Sequence, residues 1–112
     1  MAMKRSTKAN GEALKFDAEK VRLELFHFGA LEEIGKVLTF GAQKYGADNW
    51  RQGMSWRRLI GAAMRHLYAF ARGQDRDPET GLAHLAHCGC CVVFLLGYQL
   101  EKLGTDDRAI EQ

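Results

Sequence analysis

The chain reads as an all-α domain, a helical bundle of three main helices preceded by an extended N-terminal arm. Three observations point there. Two stretches repeat apolar residues at the three- and four-residue spacing of an amphipathic helix. A third, Leu85 to Tyr98, is apolar on nearly every face. Between them lie glycine, serine and proline at the positions where helices start and stop.

Residues 1–14 are rich in Lys, Ser, Asn and Gly without periodicity, the composition of a disordered basic tail. From Lys15 to Phe28 the pattern is irregular, although Val21, Leu23 and Leu25 alternate as in a short extended segment. This is the arm. The first helix is expected over Gly29–Tyr45, with Leu31, Ile34, Leu38, Ala42 and Tyr45 as its apolar stripe and Gly46 as its stop. A turn-rich segment follows, and Ser55 is suited to cap the second helix, Trp56–Arg72. Its apolar face holds Trp56, Leu59, Ile60, Ala63, Leu67, Phe70 and Ala71.

Asp77-Pro78 has the form of an N-cap followed by proline in the first helical position, so the third helix is expected from Pro78 to Leu103. A helix with no solvated face must be surrounded, and two other helices cannot wrap it. A second subunit or the arm is expected to supply the missing wall. Residues 15–104 form the domain on this reading, and 105–112 a flexible C-terminal tail.

With 112 residues, 46% of them hydrophobic, one small core is available, which assembly into an oligomer would enlarge. The net charge of +2 with acids and bases intermixed makes no case for nucleic acid or an anionic membrane. Cys88, Cys90 and Cys91 crowd onto one apolar helix, which suits neither a disulfide framework nor paired zinc ligands. They are expected to be reduced and packed. With no long apolar span and no secretory h-region, the expectation is a cytoplasmic protein.

Ionisable groups gather where the third helix begins. Asp75, Asp77 and Glu79 precede His84 and His87, which share a helical face continued by Cys91. Carboxylate oxygens in this pattern suit a hard divalent cation bound to phosphates, and two histidines three apart can hold one metal ion together. The competing reading makes Asp77 a cap and its neighbours solvated loop acids. Glu32 and Glu33 lie in the first turn of helix one, where the helix dipole favours carboxylates. On the helical wheel Glu33 falls beside the apolar stripe with Val37, Phe40 and Lys44, whereas Glu32 falls with Lys36, Thr39 and Gln43 on the polar side. Glu33 is the expected inward-facing acid.

His66 borders the apolar face of helix two. Arg58, Arg65 and Arg72 repeat at seven-residue spacing on the opposite side; Arg72 reads as solvated, Arg58 and Arg65 as phosphate or partner contacts. Asn49 and Trp50 could hold a planar base through an amide hydrogen bond and stacking. Lys15, Lys20 and Arg22 in the arm could reach phosphates.

Taken together, Lys15-Phe16-Asp17 with Lys20 and Arg22, the block Leu31-Glu32-Glu33-Ile34 through Phe40-Gly41-Ala42 to Lys44-Tyr45-Gly46 and Asn49-Trp50, Arg65-His66-Leu67, and Asp75-x-Asp77-Pro78-Glu79-Thr80-Gly81-Leu82-x-His84-Leu85-x-His87 resemble the phage-associated dATP/dGTP diphosphohydrolase N-terminal domain family. The resemblance covers about residues 15–103. It implies a MazG-like all-α nucleoside triphosphate pyrophosphohydrolase: a helical, oligomeric (dimeric or tetrameric) enzyme that uses Mg²⁺ or Mn²⁺ to cleave a nucleotide between its α and β phosphates. In a phage, the location implied is the host cytoplasm.

The wider superfamily pairs Glu-x-x-Glu on one helix with Glu-x-x-Asp on the next. Here Lys36 follows Glu33, and helix two has no carboxylate. On this resemblance the metal ligands would be Glu32, Glu33, Asp75 and Asp77, with Glu33 central. His66, His84 and His87 would serve as ligands or as acid and base, and Lys20, Arg22, Lys44, Asn49, Trp50 and Arg65 would contact substrate. Two other readings stand beside it. One is a non-catalytic helical phage protein that binds a nucleotide, nucleic acid or host protein. The other is a structural zinc held by His84, His87 and Cys91.

Overall fold

The computed structural model describes residues 19–110. The tail 1–14 and Lys15 lie outside them. Among the described residues there are three α-helices, α1 (Phe28–Tyr45), α2 (Trp56–Ala71) and α3 (His84–Glu101), and no strand longer than an isolated bridge. Two short 3₁₀ turns, Leu23–Leu25 and Asn49–Gln52, precede α1 and α2. None of the helices is long and apolar enough to cross a membrane.

Local chemistry sets the ends of α1 and α2. The His27 imidazole caps α1 by accepting the Ala30 N–H at 3.0 Å, and Gly46, with φ 94°, closes it. Ser55 caps α2 as expected, its hydroxyl accepting from the Arg58 N–H. The arm differs from expectation. Leu23–Leu25 is a 3₁₀ turn, not an extended segment, and its side chains are exposed.

The third helix also differs. It starts at His84, six residues after Pro78, because Asp77 caps a turn instead of a helix. The Asp77 carboxylate accepts from the Glu79 N–H and the Thr80 hydroxyl. Its backbone N–H and carbonyl bond to Leu82 and Gly81, and an isolated bridge joins Arg76 to Ala83. Asx-type side-chain bonding competes with helix formation in this way. At the other end Lys102, in the left-handed conformation, terminates α3 two residues before Gly104.

α3 is the centre. Both α1 and α2 pack against it, α2 more extensively, and they scarcely touch each other. Val37, Ala86 and Cys90 form the core with Ile34, Leu82, Ala83 and Phe94 around them. The buried face of α1 is therefore turned from the expected stripe: Val37 and Ile34 point inward, while Leu31, Leu38 and Tyr45 are exposed. Gly89 makes the approach possible, since a Cβ there would lie 2.8 Å from the Ile34 side chain.

Residues 103–108 lie across the start of α2. The Trp56 indole donates to the Leu103 carbonyl at 2.9 Å, the Trp56 N–H donates to Thr105, and Thr105 N–H donates to Met54. Asp107 accepts from the Ser55 hydroxyl and the Arg57 N–H. The stretch that composition marks as a flexible tail thus bonds to the start of α2 through Thr105 and Asp107. It crosses where Gly53 and Gly104 meet; a Cβ on Gly104 would stand 2.5 Å from the Met54 carbonyl oxygen.

Candidate functional site

Three histidines from two helices converge. His66 comes from the middle of α2, His84 and His87 from the first turn of α3. The His66 and His87 rings stack at 4.5 Å and 8°, and His66 and His84 approach with their Nδ1 atoms 2.9 Å apart. Helical spacing places His84 and His87 on one side of α3, and the packing of α2 brings His66 against it.

The hydrogen-bond partners assign the protons. His84 Nε2 lies 2.7 Å from the Gln74 side-chain oxygen, an acceptor, so His84 donates there and its Nδ1 is left to accept from His66 Nδ1–H. Thr80 Oγ1 meets three partners. Asp77 Oδ2, at 3.1 Å, can only accept, so the Thr80 proton goes to it. The same oxygen accepts from the Leu82 N–H and faces His87 Nε2 at 2.8 Å, which must therefore donate. His87 Nδ1 is then the acceptor nitrogen of that ring. Asp77 Oδ2 is also 3.6 Å from His87 Nε2.

Electrostatics agrees with neutral rings. Burial holds His66 below the ordinary histidine value, with His87, His84 and Arg65 adding to the effect and Asp77 opposing it. Burial lowers His87 as well, again against the pull of Asp77. For Asp77 burial pushes upward, but the Glu79 N–H, the Thr80 hydroxyl and the two nearby imidazoles bring its carboxyl below the usual range. A neutral imidazole with a free lone pair is a proton acceptor near neutral pH.

Two concavities border this cluster. One, of about 750 Å³, lies between the C-terminal half of α1, the Asn49–Gln52 turn and α3, with Phe40, Asn49, Trp50, Cys90 and His87 among its walls. The other, of about 520 Å³, carries the polar side chains of Glu32, Lys36, Thr39, Gln43 and Thr80 beside Phe40 and Leu82. They share Thr39 and Phe40 of α1. The hydrogen bond from His87 to Thr80 joins a wall of one to a wall of the other.

The other expected site residues are distributed around this centre. Glu33 is the less exposed of the two glutamates, as expected, and pairs with Lys36 at 3.1 Å, while Glu32 lines the groove with Thr80 and Leu82. Asp75 is exposed, and its backbone carbonyl receives the His84 N–H. Asn49 borders the larger cavity. Trp50 does too, but Phe94 stacks on its ring at 5.4 Å and the Arg51 guanidinium lies 4.7 Å over it. Its carbonyl accepts from the fully buried Tyr98 hydroxyl at 2.6 Å, so Trp50 is a wall and an anchor rather than an open stacking surface. Lys44 lies over the Tyr45 ring, while Arg58 and Arg65 are exposed on α2. Arg22 pairs with Glu24, and Lys20 is exposed on the arm.

Among the described residues no three His, Cys, Asp or Glu side chains are arranged to hold a metal ion. The zinc reading meets a further obstacle, since both ring nitrogens of His84 are engaged. All three cysteines are free thiols, and burial pushes Cys90 up to about 11, consistent with packed thiols. Sequence reasoning passed over Thr80 and Gln74. The signal for Thr80 was available in Asp77-Pro78-Glu79-Thr80, an Asx-turn pattern that directs a hydroxyl back to the carboxylate.

Known proteins resemble this chain over most of its length. A dATP/dGTP diphosphohydrolase of Salmonella phage PMBT28 is 39% identical over 95 residues, which make up 85% of this chain and 32% of the phage protein. The chain thus spans about a third of that relative's length. No solved structure matches. Residues 10–108 match the family described as dATP/dGTP diphosphohydrolase, N-terminal, and the chain belongs to that family.

Proposed function

We propose that this chain hydrolyses a deoxynucleoside triphosphate, with dATP and dGTP as the preferred substrates, to the monophosphate and pyrophosphate. Family membership and the name of the phage relative support the substrate class. The observation that carries the chemistry is His87: a neutral imidazole bordering a nucleoside-sized cavity, with its Nε2 proton held by Thr80 and Asp77.

In this reading the base occupies the larger cavity, where the Asn49 amide can meet its polar edge. The phosphates lie toward the smaller groove, with Lys36 in its wall and Lys44 and Arg65 as further cations. His87 Nδ1 takes a proton from water as the water oxygen bonds to the α-phosphorus. The bond from that phosphorus to the bridging oxygen breaks, and pyrophosphate leaves with its electron pair.

The resemblance implies Mg²⁺ or Mn²⁺. Glu32, Glu33, Asp75 and Asp77 do not converge within the protomer, and both Asp77 oxygens are already bonded. These residues do not build a resident metal site, so the ion is proposed to arrive chelated by the triphosphate. Glu32 alone of the four lines the smaller groove. Exposed Val92, Val93, Leu96 and Leu100 on α3 support assembly of copies into a dimer or tetramer.

The test is incubation of purified protein with each dNTP and Mg²⁺ or Mn²⁺, resolving products by chromatography. Monophosphate plus pyrophosphate is expected, and absence of both across the panel overturns the reading. A second reading, nucleotide binding without turnover, is favoured by the lack of any acid on α2. It predicts thermal stabilisation by nucleotide with no hydrolysis.

A further inference from the structure

We propose that Thr80 is a positioning residue that fixes the His87 tautomer, holding the proton on Nε2 so that Nδ1 remains the proton acceptor of the ring. This deepens the reading of His87 as the base and rests on it. The argument is one of hydrogen-bond capacity. A hydroxyl can donate once and accept twice, and Thr80 does all three: it donates to Asp77 Oδ2 and accepts from the Leu82 N–H and from His87 Nε2–H.

The direction of the chain is set at its far end. Asp77 Oδ1 is occupied by the Glu79 N–H at 3.2 Å, and Oδ2 is turned to Thr80. An ionised carboxylate has no proton to give, so the Thr80 hydroxyl cannot rotate to donate to His87 without abandoning Asp77. Asp77 and His87 are 3.6 Å apart, too far for a good direct bond, and Thr80 closes the gap. A parallel chain runs from Gln74 through His84 to His66 and leaves His66 Nε2 as its acceptor nitrogen. The two stacked rings, His66 and His87, are thus held in fixed tautomers from opposite ends.

Three substitutions separate this from a merely structural role. Thr80→Val keeps the shape and removes the hydroxyl; Thr80→Ser restores it. Asp77→Asn reverses the chain. With its oxygen kept on the Glu79 N–H, the asparagine turns its NH₂ toward Thr80, which then accepts there and donates to His87 Nε2. The His87 proton is thereby moved to Nδ1.

Two-bond ¹H–¹⁵N correlation of labelled imidazoles reads the tautomer directly in the full chain without nucleotide, with melting curves run alongside. Wild type and Thr80→Ser are expected to show Nε2–H at His87, Thr80→Val a mixture, and Asp77→Asn the inverted form. Hydrolysis is expected to fall on the order of tenfold to hundredfold in Thr80→Val, with KM within about twofold, and to return in Thr80→Ser. If His87 keeps a single Nε2–H tautomer in both Thr80→Val and Asp77→Asn, the proposal is overturned. If Thr80→Val does not fold, Asp77→Asn and Thr80→Ser decide it. Failure of the wild type to hydrolyse any dNTP, with the tautomers as expected, instead counts against the hydrolase reading.

Discussion

Along α3, a histidine at one end is buried while aliphatic side chains on one face of the other end are exposed. His84 is 5% exposed, whereas Val92 and Leu96 are each 53% exposed and Leu100 is 75% exposed. Solvation alone would order them the other way. The histidine end is covered because the 73–83 loop folds back over it and α1 and α2 close on it, and each imidazole finds a polar partner there. At the far end the Asn49–Gln52 turn covers the side that bears Phe94 and Tyr98, and the face that bears Val92, Leu96 and Leu100 is left open. The chain thus pairs its buried imidazoles internally and leaves apolar side chains exposed on α3.

His87→Ala should strike the buried end hardest, lowering dNTP hydrolysis about 10²- to 10⁴-fold while the fold is retained, measured by product chromatography and circular dichroism. Unchanged turnover would remove the chemical role from this end. At the exposed end, Gly104→Ala puts a methyl against the Met54 carbonyl at a φ of 74° and is expected to cost about 2–4 kcal/mol in denaturant unfolding. On the covered side of that same end, Tyr98→Phe leaves the Trp50 carbonyl without its hydroxyl donor, a loss of about 1–2 kcal/mol by the same method.

The pH dependence should also belong to the buried end. His66 and His87 have folded-state values below the ordinary one, so the unfolded chain takes up protons first as the pH falls. Their contribution is present above about 6.5 and is lost below it. Melting temperature should therefore drop on acidification through this range, and His66→Gln with His87→Gln should flatten the profile. Leu96→Glu, on the exposed end, should change protomer stability by about 0.5 kcal/mol or less while reducing the mass seen by light scattering. An unchanged mass would argue against Leu96 lying in an interface between copies.

Much of this was legible in the chain. The apolar spacing identified three helices, and Ser55 and Gly46 marked boundaries where the structure has them. His84, His87 and the Asp75–Glu79 loop were recognisable as one ionisable group because they are near neighbours in sequence, whereas His66 joins them only through packing. Residues near in sequence leave such a trace; those joined by packing do not. Pro78 misled, because the Asp-Pro start of a helix and the Asx turn seen here share residue types and differ only in where Thr80 bonds.

What the sequence by itself determined is the all-helical character, the order of elements and the inventory of acids, bases and imidazoles, since periodicity and capping are local properties. The tertiary structure decided which face of α1 is inward, which glutamate lines a groove, and which nitrogen of each imidazole keeps its proton. Those depend on the rotation of one helix against another and on bonds between residues up to eighteen positions apart, such as His66 and His84. No spacing rule within one helix encodes them.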